Sequence, residues 1–305
     1  MNYAQLGSSE LHISAIGFGC MSLGPDDAAN ANLLHRALDL GINFFDTADL
    51  YDKGMNEISV GKAFKGKRDK IVLASKAGNQ WRADGSGWDW NPRKEYILDC
   101  AEKSLRRLQT DCIDLYQLHG GTINDPIDET IEAFEILKTQ GKIRYYGISS
   151  IRPNVIAEYI RRSAIVSVMM QYSLLDRRPE EECLDLLKKH NIGVLSRGGL
   201  AQGLLAGKPA KPYLDLTKEE VQKATDAIHS LSGKDRTPAQ TATRYVLRHP
   251  AVNTAVIGIR TEAQLEEIAQ TILTHELTKE EMTVLQHSVR AAKYKEHRTA
   301  WKPEA

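Results

Sequence analysis

The sequence predicts an α/β protein built as a closed (β/α)8 barrel, with an N-terminal β-hairpin and long loops after several strands. Short β-branched or apolar runs alternate with amphipathic stretches along nearly all of the 305 residues. The runs begin near Ile13, Ile42, Ile71, Ile113, Ile143, Ile165, Ile192 and Thr254. No long Ser/Gly/Pro linker and no shift of composition divides them. An open doubly wound sheet would alternate too, but eight unbroken units fit a barrel better, read as one domain over residues 1–305.

Taken in order, Tyr3-Ala4-Gln5-Leu6-Gly7, Ser8-Ser9 and Leu11-His12-Ile13 suggest two short strands about a turn, a hairpin capping the barrel floor. The next three strands are Asn43-Phe44-Phe45-Asp46, Ile71-Val72-Leu73-Ala74-Ser75-Lys76 and Ile113-Asp114-Leu115-Tyr116-Gln117-Leu118-His119. Each ends an apolar run on a polar residue, and Tyr51 lies just downstream of the first. Residues 92–108 read as a helix, since Ile97, Ala101, Leu105 and Leu108 share a face and Asn91-Pro92 resembles an N-cap followed by N1. Residues 78–91, 198–217 and the tail beyond 293 are long connections. In such a barrel the loops at the C-terminal strand ends build the site, so these are its expected walls.

Composition excludes several classes. Forty basic and 40 acidic residues cancel, so charge does not argue for nucleic acid or a membrane surface. The N-terminus lacks a signal-peptide pattern and no apolar run is long enough to span a bilayer, so a soluble cytoplasmic protein is expected. Cys20, Cys100, Cys112 and Cys183 form no Cys-x-x-Cys pair, and the nine histidines show no metal-binding spacing, so no metal is expected. Gly17-Phe18-Gly19 lacks the third glycine of a dinucleotide fingerprint, where Ser22 stands. Gly203-Leu-Leu-Ala-Gly207-Lys208 is one residue short of a phosphate loop.

Asp46, Tyr51, Lys76 and His119 remain. Singly, each reads as a strand-end or loop residue satisfied by its neighbours. Together they make a complete acid relay if a barrel gathers successive strand ends on one face. A free tyrosine, with a pKa of about 10, is a poor acid at neutral pH. Lys76 would stabilise its phenolate, and Asp46 would hold Lys76 charged and in place.

Gly41-Ile42-Asn43-Phe44-Phe45-Asp46-Thr47-Ala48-Asp49-Leu50-Tyr51 resembles the Asp…Tyr signature of the aldo-keto reductases, with Lys76 and His119 completing the family's tetrad. The resemblance runs from residue 6 to about 267 and is nearest the bacterial, potassium-channel beta-subunit-like branch. It implies a TIM barrel that binds NADPH without a Rossmann domain and reversibly reduces an aldehyde or ketone, Tyr51 protonating the carbonyl oxygen and His119 orienting it. It further implies cofactor contacts by Gly19, Cys20, Met21 and Asp46, with Ser149 and Gln171 on the nicotinamide carboxamide. Lys208 would approach the pyrophosphate, while Gly258, Arg260, Gln264 and Glu267 would clamp the adenosine end, Arg260 taking the 2′-phosphate.

The chain also departs from the family pattern. Arg197-Gly198-Gly199-Leu200 stands where many relatives carry an aromatic residue, Ser, Pro and Leu. Arg197 is expected to stack on the nicotinamide in place of the ring, its charge favouring the reduced cofactor, with Gly198 and Leu200 beside it. Gly120-Gly121 after His119 could widen the pocket or supply a turn, the turn being expected. Ile268 stands where many relatives carry Asn, which would remove a bond to adenine. Trp81, Trp88 and Trp90 could form an aromatic lid or pack their own loop, and residues 294–301 could edge the pocket.

The leading reading is an NADPH-dependent reductase of a small-molecule carbonyl, needing no obligate protein partner. An NADP(H)-binding redox-sensing protein is the alternative, disfavoured by the complete tetrad and by the short stretch ahead of the barrel. A barrel lyase with a Schiff base on Lys76 is a third class.

Overall fold

The computed structural model describes residues 1–298. In chain order the strands are β1 (Tyr3–Gln5), β2 (His12–Ser14), β3 (Ile16–Gly19), β4 (Phe44–Asp46), β5 (Val72–Ala77), β6 (Asn79–Trp81), β7 (Trp88–Trp90), β8 (Ile113–Leu118), β9 (Ile143–Ser149), β10 (Ser167–Gln171), β11 (Gly193–Arg197) and β12 (Val252–Gly258). The helices are α1 (Asp27–Asp39), α2 (Met55–Ala63), α3 (Lys94–Leu108), α4 (Ile127–Thr139), α5 (Pro153–Arg162), α6 (Cys183–Lys189), α7 (Lys218–Ser230), α8 (Pro238–Leu247), α9 (Glu262–Ala269) and α10 (Lys279–Ser288). Eight parallel strands close in the order β3-β4-β5-β8-β9-β10-β11-β12, with β12 pairing back onto β3. This is the (β/α)8 barrel that the alternating runs predict.

The hairpin of β1 and β2 is antiparallel, Ala4 opposite Ile13. The run expected to begin at Ile13 as a barrel strand is therefore split. Ser14 Oγ donates to the Ile16 carbonyl and its N–H donates to Asn43, so the chain turns there and the barrel strand starts at Ile16. Helix α3 likewise starts two residues later than Asn91-Pro92 suggested. Asn91 Oδ1 accepts the Arg93 N–H, Arg93 is still extended, and the helix begins at Lys94. Helices α7, α8 and α10 open on full capping boxes from Thr217/Glu220, Thr237/Gln240 and Thr278/Glu281.

Two cores follow from the period-two alternation of the strands. Phe44, Val72, Ala74, Leu115, Met169, Leu195 and Val256 fill the barrel interior, with Leu6, Leu11 and Ile13 of the hairpin region in the same cluster. Phe45, Leu73, Tyr116 and Leu118 alternate with these and pack in the larger apolar cluster that includes the helices. Each fully buried Val, Leu, Ile, Phe or Met side chain among them contributes about 1.5–3 kcal/mol. The same alternation places the site, because the residue two beyond an interior one also points inward. Asp46 follows Phe44, Lys76 follows Ala74, Gln117 follows Leu115, Gln171 follows Met169 and Arg197 follows Leu195. Among the described residues no helix is long and apolar enough to cross a membrane. None of them forms a group of three or more His, Cys, Asp or Glu able to hold a metal ion.

Candidate active site

Lys76 is the hinge of the arrangement, 1 % exposed at the C-terminal end of β5. Its ammonium donates to Asp46 Oδ2 at 2.7 Å, to the Thr47 carbonyl at 2.7 Å and to the Tyr51 hydroxyl at 3.4 Å. Three donors meet three acceptors, which satisfies an ammonium completely. The other Asp46 oxygen accepts from Gln117 at 3.4 Å. Burial works against charge on both partners. It pushes the Asp46 carboxyl up against the pull of Lys76, while for Lys76 Asp46 and Tyr51 outweigh burial and raise its pKa. The short contact holds them as an ion pair.

Tyr51 is delivered by a turn tied to the barrel rim. Thr47 N–H donates to the Ala74 carbonyl and Asp49 N–H to the Lys76 carbonyl, which carries the β4–β5 ladder into the loop. Asp52 and Lys53 then take left-handed conformations, φ 48° and 53°, and turn the chain into α2. Non-glycine residues adopt that region at a cost of roughly 1–2 kcal/mol each, so the surroundings hold this turn in place. Burial raises the Tyr51 phenol above its usual pKa, with Lys76 opposing, so the phenol keeps its proton at neutral pH.

His119 directly follows β8, its N–H donating to the Ala77 carbonyl and its carbonyl accepting from Asn79. Its ring meets Tyr51 edge-on, centroids 5.7 Å apart. Burial, then the charges of Lys76 and Arg197, push it down to about 3, so the imidazole is neutral. Its Nδ1 is buried with no hydrogen-bond partner among the described residues. A protonated phenol beside a neutral imidazole and a buried ammonium can deliver a proton to one point and stabilise the oxyanion left behind.

The remaining candidates lie on the same barrel end. Ser149 and Gln171 end β9 and β10, and Arg197 ends β11 with its guanidinium donating to Gln171 Oε1 at 3.0 Å. Gly198 closes on the Gln171 side chain, where an added Cβ would stand 3.3 Å from Cγ. Leu200 packs on the core, and Lys208 donates to the Gln202 carbonyl. A cavity of about 350 Å³ opens between the loop after β3 and the start of α9, lined by Ser22, Gly24, Asn30, Arg260 and Thr261. Ser22 Oγ bridges the Gly19 and Ile259 carbonyls, which joins the ends of β3 and β12 at Gly258. Gln264 Oε1 accepts the Arg260 N–H and sets that corner. Glu267 instead lines a separate cavity with Arg236 and Gln240. Met21 is 69 % exposed, and Cys20 is buried beside Asp46 and Lys76, its thiol pushed up by burial. A polar corner at Gln171 and Arg197, with an open cleft holding an Arg260 that pairs with no carboxylate among the described residues, fits an elongated dinucleotide across the barrel mouth.

The aldo/keto reductase family model matches residues 15–290. The chain belongs to the aldo/keto reductase family. It is 49 % identical to the uncharacterized oxidoreductase YqkF of Bacillus subtilis (strain 168), over 98 % of this chain and all of the relative. It is 50 % identical to aldo-keto reductase AKR11C1 from Bacillus halodurans in its holo form, with a TM-score of 0.92, covering 98 % of this chain and all of that one. The glycerol dehydrogenase AKR11B4 from Gluconobacter oxydans is 28 % identical over 94 % of both chains, with a TM-score of 0.83. Oxidoreductases of this family reduce small-molecule carbonyls with a nicotinamide cofactor.

Sequence reasoning missed Asp125 and Tyr213 around this site, and named Trp90 without the partners that hold it. Trp90 packs on Gly78 and Gly120, where an added Cβ would meet its ring at 2.8 and 3.1 Å. Its indole N–H donates to Asp125, which also accepts from Thr122. Gly120 thus makes room for a tryptophan as well as a turn. Trp88 is exposed, and Trp81 lies under Lys53 at 5.2 Å. Tyr213 reaches Gln171 from the loop after β11. No local spacing marks any of these contacts. In the tail, Tyr294 is buried and Arg298 pairs with Glu181, while Thr299, Ala300 and Trp301 lie outside the described residues.

Proposed function

We propose that this protein is an NADPH-dependent carbonyl reductase that converts an aldehyde or ketone into an alcohol, with Tyr51 as the proton donor. The observation that carries the reading is the satisfied Lys76 ammonium, committed to Asp46, Thr47 and Tyr51. A lysine held this way acts as a charge and has no lone pair for a Schiff base, which argues against a lyase. It also argues for the phenol as the group it serves.

When bound, the nicotinamide supplies the hydride that reduces the carbonyl carbon. Tyr51 donates its proton to the carbonyl oxygen, and the phenolate that forms is stabilised by Lys76. His119, neutral because of burial and two nearby cations, donates its ring N–H to the same oxygen and orients it. Asp46 keeps Lys76 charged and fixed. Ser149 and Gln171 would hold the carboxamide, and Arg197, Gly198 and Leu200 would line the nicotinamide ring. Gly19, Cys20 and Met21 at the end of β3 would contact the cofactor, and Lys208 would approach its pyrophosphate. Gly258, Arg260 and Gln264 would close the adenosine end, while Glu267, which lines a different cavity, has no part in it. Arg260, paired with no carboxylate among the described residues, is the group for a 2′-phosphate and the reason for naming NADPH.

The test is NADPH oxidation by the purified protein against aldehydes, ketones and dicarbonyls, with NADH and Tyr51→Phe as controls. Turnover that prefers NADPH and falls about 10²-fold or more in Tyr51→Phe supports the reading. Unchanged turnover in Tyr51→Phe sinks the mechanism. Tight NADPH binding without turnover on any carbonyl would favour a redox-sensing role instead.

A further inference from the structure

Tyr213 sits in the long connection between β11 and α7, yet it is only 8 % exposed. Paired backbone bonds with Leu216 fold this segment back on itself. The Tyr213 hydroxyl accepts from Gln171 Nε2 at 3.2 Å, while Gln171 Oε1 accepts from Arg197 at 3.0 Å. A guanidinium can only donate, so Arg197 fixes which end of the amide is oxygen, and Tyr213 engages one of the two N–H groups. Among the described residues one N–H and one carbonyl lone pair of Gln171 have no partner, the complement of a primary carboxamide. Two residues on, Asp215 is anchored by Arg290 through its carbonyl at 2.5 Å and its carboxylate at 3.1 Å. Arg290 also bonds Glu220 at 2.8 Å, which ties the loop to the segment following α10.

We propose that Tyr213 is a positioning residue for the nicotinamide: it holds the Gln171 amide in the orientation that pairs with the cofactor's carboxamide and docks the loop after β11 against that site. The inference rests on the reading that a nicotinamide cofactor binds here. A glutamine left alone loses rotamer freedom on binding, and a hydroxyl that fixes it beforehand removes that cost.

The experiment is a fluorescence titration of NADPH into wild type, Tyr213→Phe, Gln171→Ala and the double variant, with thermal melting of each. Tyr213→Phe keeps the buried ring and removes one neutral hydrogen bond, so Kd is expected to weaken about 3- to 10-fold with a melting shift under about 3 °C. Gln171→Ala should weaken binding at least as much, and the double variant no more than Gln171→Ala alone, because Tyr213 acts through that amide. An unchanged Kd in Tyr213→Phe, or losses that multiply in the double variant, would overturn the proposal. Wild type that binds no nicotinamide cofactor would remove the underlying reading itself.

Discussion

Replacing Lys76 by Met separates the two things its charge does. Met keeps the length and most of the volume but leaves Asp46, 4 % exposed, without its cation. Breaking a buried pair from one side costs about 3–5 kcal/mol of stability, since the surviving charge stays buried and uncompensated. The rate should fall for a different reason. At 3.4 Å and an effective dielectric constant of about 20, a full phenolate and the ammonium attract by about 5 kcal/mol. If roughly half of that charge has developed on the Tyr51 oxygen in the transition state, the loss is about 2.5 kcal/mol, or on the order of 10²-fold in kcat. Adding Asp46→Asn removes the stranded carboxylate, so the double variant should regain most of the stability and none of the rate. Urea unfolding and single-turnover kinetics measure the two separately. The reasoning fails if Lys76→Met is as stable as wild type, or if the double variant recovers turnover.

Other outcomes follow from the same geometry. His119 titrates near 6.5 when unfolded and near 3 when folded, so its contribution is complete above pH 6.5. It is lost at about 1.4 kcal/mol per pH unit as pH falls toward 3; His119→Asn should flatten the acid limb of a stability-against-pH curve. Gly120→Ala puts a Cβ 3.1 Å from the Trp90 ring at φ 146°, so it should destabilise by about 1–3 kcal/mol in denaturant melts and change KM for the carbonyl more than Kd for the cofactor. Arg197→Tyr removes a cation felt by His119, Tyr51 and Asp46, and should shift relative binding toward NADP⁺ when both cofactor forms are titrated. Arg260→Ala should raise the Kd for NADPH about 10- to 100-fold and leave that for NADH nearly unchanged.

The barrel and the cluster at Lys76 were legible because both rest on local pattern. Apolar runs ending in Asp46, Lys76 and His119 state strand, direction and terminus together, and period two then puts Asp46 and Lys76 inside. What escaped depends on contacts between distant loops. Trp90 reaches Asp125 across 35 residues and Tyr213 reaches Gln171 across 42, and neither pairing has a periodicity to betray it. The first strand was misplaced for a related reason. Ile13 and Ile16 are both buried and apolar, and only the Ser14 bonds to Ile16 and Asn43 reveal a turn between them.

The residues proposed to transfer the proton are held by strand ladders and a buried ion pair, where one substitution is expected to cost about 3–5 kcal/mol. The walls are held differently. The β6–β7 hairpin is fastened at Trp90 by one carboxylate and two glycines, and the loop after β11 is held to the site by the Tyr213 hydroxyl and a partly exposed Arg290. Single neutral hydrogen bonds contribute about 0.5–1.5 kcal/mol and exposed ion pairs less than about 1 kcal/mol. Changes at Trp90, Asp125 or Tyr213 therefore cost less stability than changes at Lys76 while moving groups beside His119 and Gln171. Substrate and cofactor preference should accordingly respond to these clamps before the chemistry does.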